Sequence, residues 1–394
     1  MSLFFLLTGY VNVMGPLSKA RDGNSQAALI SLASSTFRRV FRLILPTTIA
    51  GFIAWFLCQL GFYALAARCE AFWMRNTSPL PDPTFRAAVQ GLLHSTINLW
   101  KTGNNMYERN QWSLPFLLKG SMMIYLTLLA TLRCTPRWRM TVIFGLYALS
   151  WAWNDAMIGM NIYAGAFLAE LNMHLGSATS SRLCHTVTMR TIAVFLVFIG
   201  LHLCGYPENR NDWARWSKDL GEIGLRIFPK GTDQFRYWPS IGVQLITIGV
   251  MLSPLLQQAL THPALLWLGG ASFPIYLIHG PIIRSVLAWI LFGLREPITR
   301  YDYNHDGTMA AQYEILPMPT AWMYALALPL FFAILFVCAH AWNLWIEPWC
   351  AYWTKNMEDI MMGRGDIPPL APETTSHSNG FPKGGNRSNG ILPQ

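Results

Sequence analysis

Charge is what this sequence has least of. Asp, Glu, Lys and Arg make up 12% of its 394 residues, against roughly 25% in a soluble domain. Hydrophobic residues reach 53%, and the 17 Trp, 22 Phe, 14 Tyr and 18 Met are more than one soluble core could enclose beneath so thin a charged surface. An ordinary soluble globule is thereby excluded, and lipid is the expected solvent. The short alternating segments of a membrane barrel are missing too, and apolar runs of helical length stand in their place. The expected fold class is therefore all-α, a polytopic transmembrane helix bundle.

Other absences narrow the chemistry. The seven Cys (58, 69, 134, 184, 204, 338 and 350) form no C-x-x-C pair, so neither a zinc site nor a disulfide framework is signalled and the thiols read as small apolar packers. His94, His174, His185 and His340 show no metal-ligand spacing, and no G-x-S-x-G marks a serine nucleophile. No metal and no permanently bound cofactor is expected. Asp302-Tyr303-Asn304-His305-Asp306-Gly307 opens like a calcium loop, but Tyr313 stands where the bidentate Glu belongs. The apolar start lacks the basic leader and small-residue cleavage site of a secretory signal. The net charge of +9 comes from short basic clusters beside apolar runs, which fix membrane orientation rather than bind nucleic acid.

What is there is a series of apolar segments. Leu43 to Ala66, Leu114 to Leu132, Thr191 to Tyr206, Ile241 to Leu260 and Ala321 to Trp345 each approach the roughly 20 residues that cross hydrocarbon. Thr141 to Trp153 and Met157 to Leu171 are shorter and are split by Asn154-Asp155, which predicts a tight hairpin of two helices or one re-entrant pair. Ala264 to Phe292 contains Gly269-Gly270, Pro274 and Gly280-Pro281, which predicts a broken or tilted helix. With the apolar start, Ser2 to Met14, the expected count is about nine membrane segments. Residues 1–360 then form one membrane domain. The Pro-, Gly- and Ser-rich stretch 361–394 cannot bury enough surface to order itself and reads as a disordered cytoplasmic tail.

Lys19, Arg21, Arg38, Arg39 and Arg42, and then Arg133, Arg137 and Arg139, place their loops on the cytoplasmic side. Residues 67–113, 207–240 and 293–320 fall on the opposite side. The sequon Asn76-Thr77-Ser78 is then open to glycosylation, whereas Asn386-Arg387-Ser388 is not. The sequence leaves open which membrane is involved.

Three features carry candidate chemistry. Arg38, Arg39 and Arg42 recur at helical spacing just ahead of a span, and guanidinium forks at that boundary suit phosphate oxygens; lipid headgroups and orientation are the plainer use of the same residues. His279 is an ionisable group inside an apolar run, beside a helix-breaking Gly-Pro, and could exchange protons near neutral pH. The plainer reading is an imidazole bonded to a neighbouring carbonyl. Arg284 lies further along the same run and could serve the site or snorkel to the interface.

Several phrases resemble, in order, the acyltransferase 3 family of membrane O-acyltransferases, particularly its fungal branch, over about residues 3–358. They are Phe4-Phe5-Leu6-Leu7-Thr8-Gly9-Tyr10, Arg38-Arg39 through Arg42-Leu43 to Pro46, Gln111-Trp112-Ser113-Leu114-Pro115, Tyr163 to Glu170, Trp267 to Pro281 and Glu347-Pro348-Trp349. Gly9, Tyr10, Trp112, Ser113 and Tyr276 are the substrate or structural positions within them. The resemblance implies acyl transfer from acyl-CoA to a hydroxyl of a sugar, lipid or small metabolite, with Arg38, Arg39 and Arg42 on the acyl-CoA side and membrane lipid as surroundings.

The sequence departs from that family at two places. An apolar segment with an Arg and the family's catalytic His precedes the first phrase elsewhere, whereas here Met1 stands three residues before it. Leu117 occupies the place of the Glu that usually follows the Trp-Ser phrase, with no carboxylate nearby as a substitute. The expectation is a late-starting member with weakened activity and His279 as fallback base. The alternative is a non-catalytic membrane protein, either a transporter or an acyl-CoA-binding remnant.

Overall fold

The computed structural model describes residues 1–184, 186–303 and 309–363. Helix dominates. Helix α1 is Ser2–Arg21, α2 is Ser25–Gln59, α3 is Phe72–Thr77 and α4 is Phe85–Thr102. They are followed by α5 (Ser113–Thr131), α6 (Pro136–Ala152), α7 (Asn161–Cys184), α8 (Val187–Cys204) and α9 (Arg215–Ile227). Then come α10 (Gln234–Leu252), α11 (Pro254–Leu260), α12 (Pro263–Ile282), α13 (Ala288–Phe292) and α14 (Ala321–Met361). Strands β1 (Ile298–Tyr303) and β2 (Met309–Ile315) form one antiparallel hairpin with Ile298 opposite Ile315.

Among the described residues, five stretches are long and apolar enough to cross a membrane: Ser25–Gln59, Arg109–Thr131, Val187–Cys204, Pro263–Phe292 and Ala321–Met361. A sixth follows if α10 and α11 count as one broken span, bent by 101°. Ser253 caps α11 at that bend through the Leu256 amide, and Pro254 opens it. This is a membrane protein, but the expected nine segments are not confirmed. Helix α6 is only 17 residues long, and α1 and α7 do not pass on length and composition.

Local chemistry explains the element boundaries. Asn24 accepts from the Ala27 amide and starts α2. No Gly or Pro occurs from Ser25 to Leu45, so the helix runs straight through the basic patch instead of beginning after it. The expected hairpin is present, with Asn154 at φ 60° and Asp155 accepting from the Ile158 amide. A π turn, Ala156–Met160, then leads into α7. The break expected in 264–292 is not found. Pro274 lies inside α12, and the Gly270 carbonyl, which its missing N–H would otherwise serve, accepts from the Asn343 side chain at 3.3 Å. After Pro281 the chain widens into a π turn, Ile283–Leu287, and the Ser285 hydroxyl donates to the Pro281 carbonyl at 2.7 Å.

The hairpin departs from the all-helical expectation. Residues 304–308 of the calcium-like phrase lie outside the described residues, as does the expected tail from 364 onward, including Asn386.

The chain divides into two compact units. The first comprises Met1–Arg39, Leu117–His262 and the segment from Asn356. In it α1 lies against α7, and a Cβ at Gly9 would stand 2.1 Å from the Ile162 carbonyl oxygen, just as one at Gly165 would stand 2.0 Å from that of Leu6. Only glycines permit that backbone approach. Tyr10 adds to the same seam by accepting from Asn172 at 3.0 Å. The buried Glu170 carboxylate bridges Arg21 at 2.9 Å and Arg139 at 2.7 Å.

The second unit comprises Val40–Phe116 and Pro263–Lys355. Ala54, Trp55, Cys58, Tyr63, Ala88 and Tyr107 form a core within it, and the Trp55 indole donates to the Ala88 carbonyl at 2.9 Å. Helix α4 is capped by Thr84 and stopped by Gly103 at φ 80°, which turns the chain into the segment 103–112. That segment positions the site.

Candidate functional site

Segment 103–112 has few apolar side chains and is held by hydrogen bonds. Asn105 donates to Gln111 at 2.8 Å, Gln111 donates to the Thr47 carbonyl at 3.3 Å, and the Tyr107 hydroxyl donates to Asp82 at 3.1 Å. Burial raises the Tyr107 hydroxyl above its ordinary range, and the Asp82 carboxylate raises it further. Tyr107 is therefore neutral and serves as a fixed donor.

Next to it is a buried ion pair. Glu108 and Arg284 meet at 3.0 Å with side chains 0% and 1% exposed, and Arg284 also donates to the Tyr107 carbonyl at 3.2 Å. The Arg284 guanidinium lies 5.9 Å from the ring centres of both Tyr63 and Trp73. Burial raises the Glu108 carboxyl above the usual glutamate range, with the Arg284 charge pulling against it. Arg284 is thus an interior partner in this structure and not a snorkelling side chain. A Cβ at Gly280 would stand 2.3 Å from Glu108 Oε2, so the glycine after His279 makes room for this carboxylate.

The pair in turn fixes Asn110, whose amide donates to Glu108 Oε1 at 3.0 Å. Its carbonyl accepts from the Tyr276 hydroxyl, and Ser113 Oγ lies 2.7 Å from the same hydroxyl. With the Tyr276 proton on the Asn110 carbonyl, Ser113 is the donor in that contact. His279 follows from the same accounting. Its Nδ1 faces the carbonyls of Tyr276 at 2.8 Å and Ile275 at 3.1 Å, both acceptors, so Nδ1 carries the proton. Nε2 then holds the lone pair and accepts from Asn110 Nδ2 at 3.1 Å. The plainer expectation for His279, a bond to a neighbouring carbonyl, is met at one nitrogen.

Asn110 also lines a cavity of about 620 Å³, with Trp73, Asn76, Asn104, Arg109 and Trp112 among its walls. A volume in the hundreds of Å³ suits a small-molecule ligand. The partly buried His279 therefore stands one carboxamide behind a cavity with polar groups in its wall, and its Nε2 reaches a bound hydroxyl only when the Asn110 side chain moves aside.

The unit thus brings His279, Tyr276, Ser113 and Trp112 together. Gly9 and Tyr10 belong to the α1–α7 seam of the first unit instead. The arginines do not share one open face. Arg38 pairs with Glu358, and Arg39 donates to Ser121 at 3.0 Å and to Thr8 at 3.4 Å. Arg42 is exposed, on the stretch of α2 in the second unit. Leu117 is buried in α5. The residues that motif reading missed are Asn110 and Glu108, a carboxylate four positions before Trp112. Among the described residues no three His, Cys, Asp or Glu side chains converge as metal ligands.

Comparison with known proteins finds acyltransferases of fungi. An O-acetyltransferase of Phomopsis amygdali, PaAT-1, is 25% identical over 320 residues, covering 72% of this chain and 61% of that relative. Acyltransferase clz18 of Cochliobolus lunatus is 22% identical over 330 residues, 73% of this chain and 69% of the relative. The chain thus spans about three fifths of the length of the first and about two thirds of the second. No solved structure matches. The acyltransferase domain pattern matches residues 1–340, and the chain belongs to the acyltransferase 3 family.

Proposed function

We propose that this protein is a multi-pass membrane O-acyltransferase that moves an acyl group from acyl-CoA to a hydroxyl of a sugar, lipid or small metabolite. The observation that carries the reading is the tautomer of His279, whose Nε2 lone pair faces the cavity wall through Asn110. In the reaction the Asn110 side chain swings off His279 Nε2, which then takes the hydroxyl proton as the oxygen attacks the thioester carbonyl, so that the C–O bond forms. The C–S bond then breaks, and the proton passes to the departing thiolate. Asn110 has a second side-chain N–H to offer the oxyanion that develops, while Tyr276, with Ser113 behind it, holds the Asn110 carbonyl.

The donor's phosphates fall to the basic stretch of α2. Arg42 is exposed there, while Arg38 and Arg39 exchange Glu358, Ser121 and Thr8 for phosphate oxygens when the donor binds.

The test separates chemistry from binding. Purified full-length chain in lipid nanodiscs is given labelled acetyl-CoA, and both hydrolysis and transfer to hydroxyl acceptors are measured. His279→Gln is expected to lower turnover by about 10²- to 10⁴-fold, the usual contribution of a general base, with acetyl-CoA binding unchanged. A variant that turns over as fast as the native chain would remove His279 from the mechanism. Native chain that binds acetyl-CoA without any turnover would favour the non-catalytic alternative.

A further inference from the structure

The first unit holds a second cavity, of a different character. It measures about 340 Å³ and lies among α6, α7 and α10. Its α7 wall carries Ala164, Leu168 and Leu171, and its α10 wall carries Gln244, Ile248 and Met251. Each set recurs at helical spacing and so lies on a single face. From Gln244 to Leu252 the cavity follows α10 for about 12 Å, at a rise of about 1.5 Å per residue. Its walls are hydrocarbon and aromatic apart from Tyr147, Asn172 and Gln244.

Two of those polar groups are satisfied within the protein. Asn172 donates to the Tyr10 hydroxyl, and Tyr147 donates to Gln244 Oε1 at 3.1 Å. The Tyr147 contact commits one end of the Gln244 carboxamide. The other end, Nε2, is shut off from solvent and has no hydrogen-bond partner. A buried N–H donor left unpaired costs free energy, and native structures rarely tolerate one. The methyl end of a lipid chain would fill the volume but leave the donor orphaned.

We propose that this cavity binds a lipophilic, mostly hydrocarbon small molecule whose oxygen accepts a hydrogen bond from Gln244 Nε2. The ligand class is set by the walls, which provide apolar surface along two helical turns and one donor at the Tyr147 end. Sugars and other polyhydroxylated molecules are excluded, because their remaining hydroxyls would meet only Leu, Ile, Met and Phe. The inference is independent of the transfer chemistry proposed above and stands or falls without it.

The experiment uses two photo-reactive probes of equal length, a methyl decanoate and a plain hydrocarbon, each with a mid-chain diazirine. They are applied to full-length chain in phosphatidylcholine nanodiscs, and cross-links are mapped by mass spectrometry. The ester is expected to label the Leu168–Leu171 and Ile248–Met251 walls and to half-saturate at about one tenth of the hydrocarbon's concentration, the ratio carried by one net hydrogen bond. Gln244→Leu should erase that difference, and Ala164→Phe should abolish labelling by both probes. If Ala164→Phe fails to fold, the probe ratio in Gln244→Leu still decides. Equal half-saturation by the two probes in native chain, or labelling no stronger than at the exposed Phe195 and Phe198, would show lipid-chain contact only and overturn the proposal.

Discussion

Removing either partner of the Glu108–Arg284 pair should destabilise the protein, but by unequal amounts. Both side chains are enclosed, at 0% and 1% exposure, so each deletion strands the other group out of water. In Glu108→Leu the survivor is a guanidinium, which cannot shed its proton inside a protein. The expected cost is the full penalty of a broken buried pair, about 3–5 kcal/mol. The Asn110 amide loses its acceptor as well. In Arg284→Met the survivor is a carboxyl that burial already pushes upward, and without the arginine charge it takes up a proton and becomes neutral. Toward about pH 4, where the unfolded chain also holds the proton, its cost is closer to that of one unsatisfied polar group, about 1–3 kcal/mol, and at neutral pH the cost of taking up that proton adds to it.

The pH dependence separates the two variants further. A carboxyl whose folded pKa lies above its unfolded value of about 4.3 destabilises the fold as pH rises from that value through the folded pKa, and ceases to do so below it. The deficit of Arg284→Met should therefore shrink on acidification toward about pH 4, where folded and unfolded states both hold the proton. That of Glu108→Leu should not shrink, because the stranded guanidinium does not titrate there while the native Glu108 carboxyl, itself raised, gains its proton. Reversible unfolding in mixed micelles at increasing dodecyl sulfate, repeated from neutral to acidic pH, measures both. A milder Glu108→Leu at about pH 4, or an Arg284→Met deficit that ignores pH, would refute the reasoning.

Other substitutions test neighbouring steps. Tyr276→Phe removes the hydroxyl that holds both the Asn110 carbonyl and Ser113; about 0.5–1.5 kcal/mol of stability per bond should be lost, with turnover falling more than donor binding in steady-state kinetics. Gly9→Val places a branched side chain against the Ile162 backbone, and overpacking of about 1–3 kcal/mol should appear as a lower melting temperature and faster proteolysis. Asn343→Leu should cost about 1 kcal/mol by orphaning the Gly270 carbonyl. Pro274→Ala restores an amide to that carbonyl, so the double variant should recover most of the loss, and additive effects in the unfolding cycle would count against this account of α12.

What could be read from the sequence alone was whatever depends on local pattern. Apolar runs of crossing length announced α2, α5, α8 and α14, because hydrocarbon thickness sets a length that composition reports directly, whereas the run Ile241 to Leu260 is split between α10 and α11 by a bend of 101°. Asn154-Asp155 announced the hairpin, because one residue at positive φ and one capping carboxylate suffice to reverse the chain. Prolines misled, since the fate of a freed carbonyl is decided elsewhere: Asn343 lies far along the chain from Gly270 and rescues a helix that looked broken. The basic patch misled for the same reason. Spacing placed Arg38, Arg39 and Arg42 near one another on α2, but Glu358, Ser121 and Thr8, which draw two of them aside, come from three other helices.

The site shows the same division more sharply. His279 stood out because an ionisable group in an apolar run is costly and so conspicuous. Glu108 did not stand out, because in Met106-Tyr107-Glu108-Arg109-Asn110 an acid among polar neighbours looks solvated. Its burial is produced by the second half of the unit, where Arg284 supplies the charge and Gly280 supplies the space. The glycine was the readable clue. Gly280 follows His279 directly, on a helix where most residue types would serve better, and such a position asks what comes too close for a Cβ. The answer is the carboxylate that fixes Asn110 and, through Asn110, Nε2 of His279. Enlarging Gly280 should therefore disturb the imidazole indirectly. Gly280→Ala is expected to displace Glu108, loosen the Asn110 amide and lower turnover while leaving His279 chemically intact.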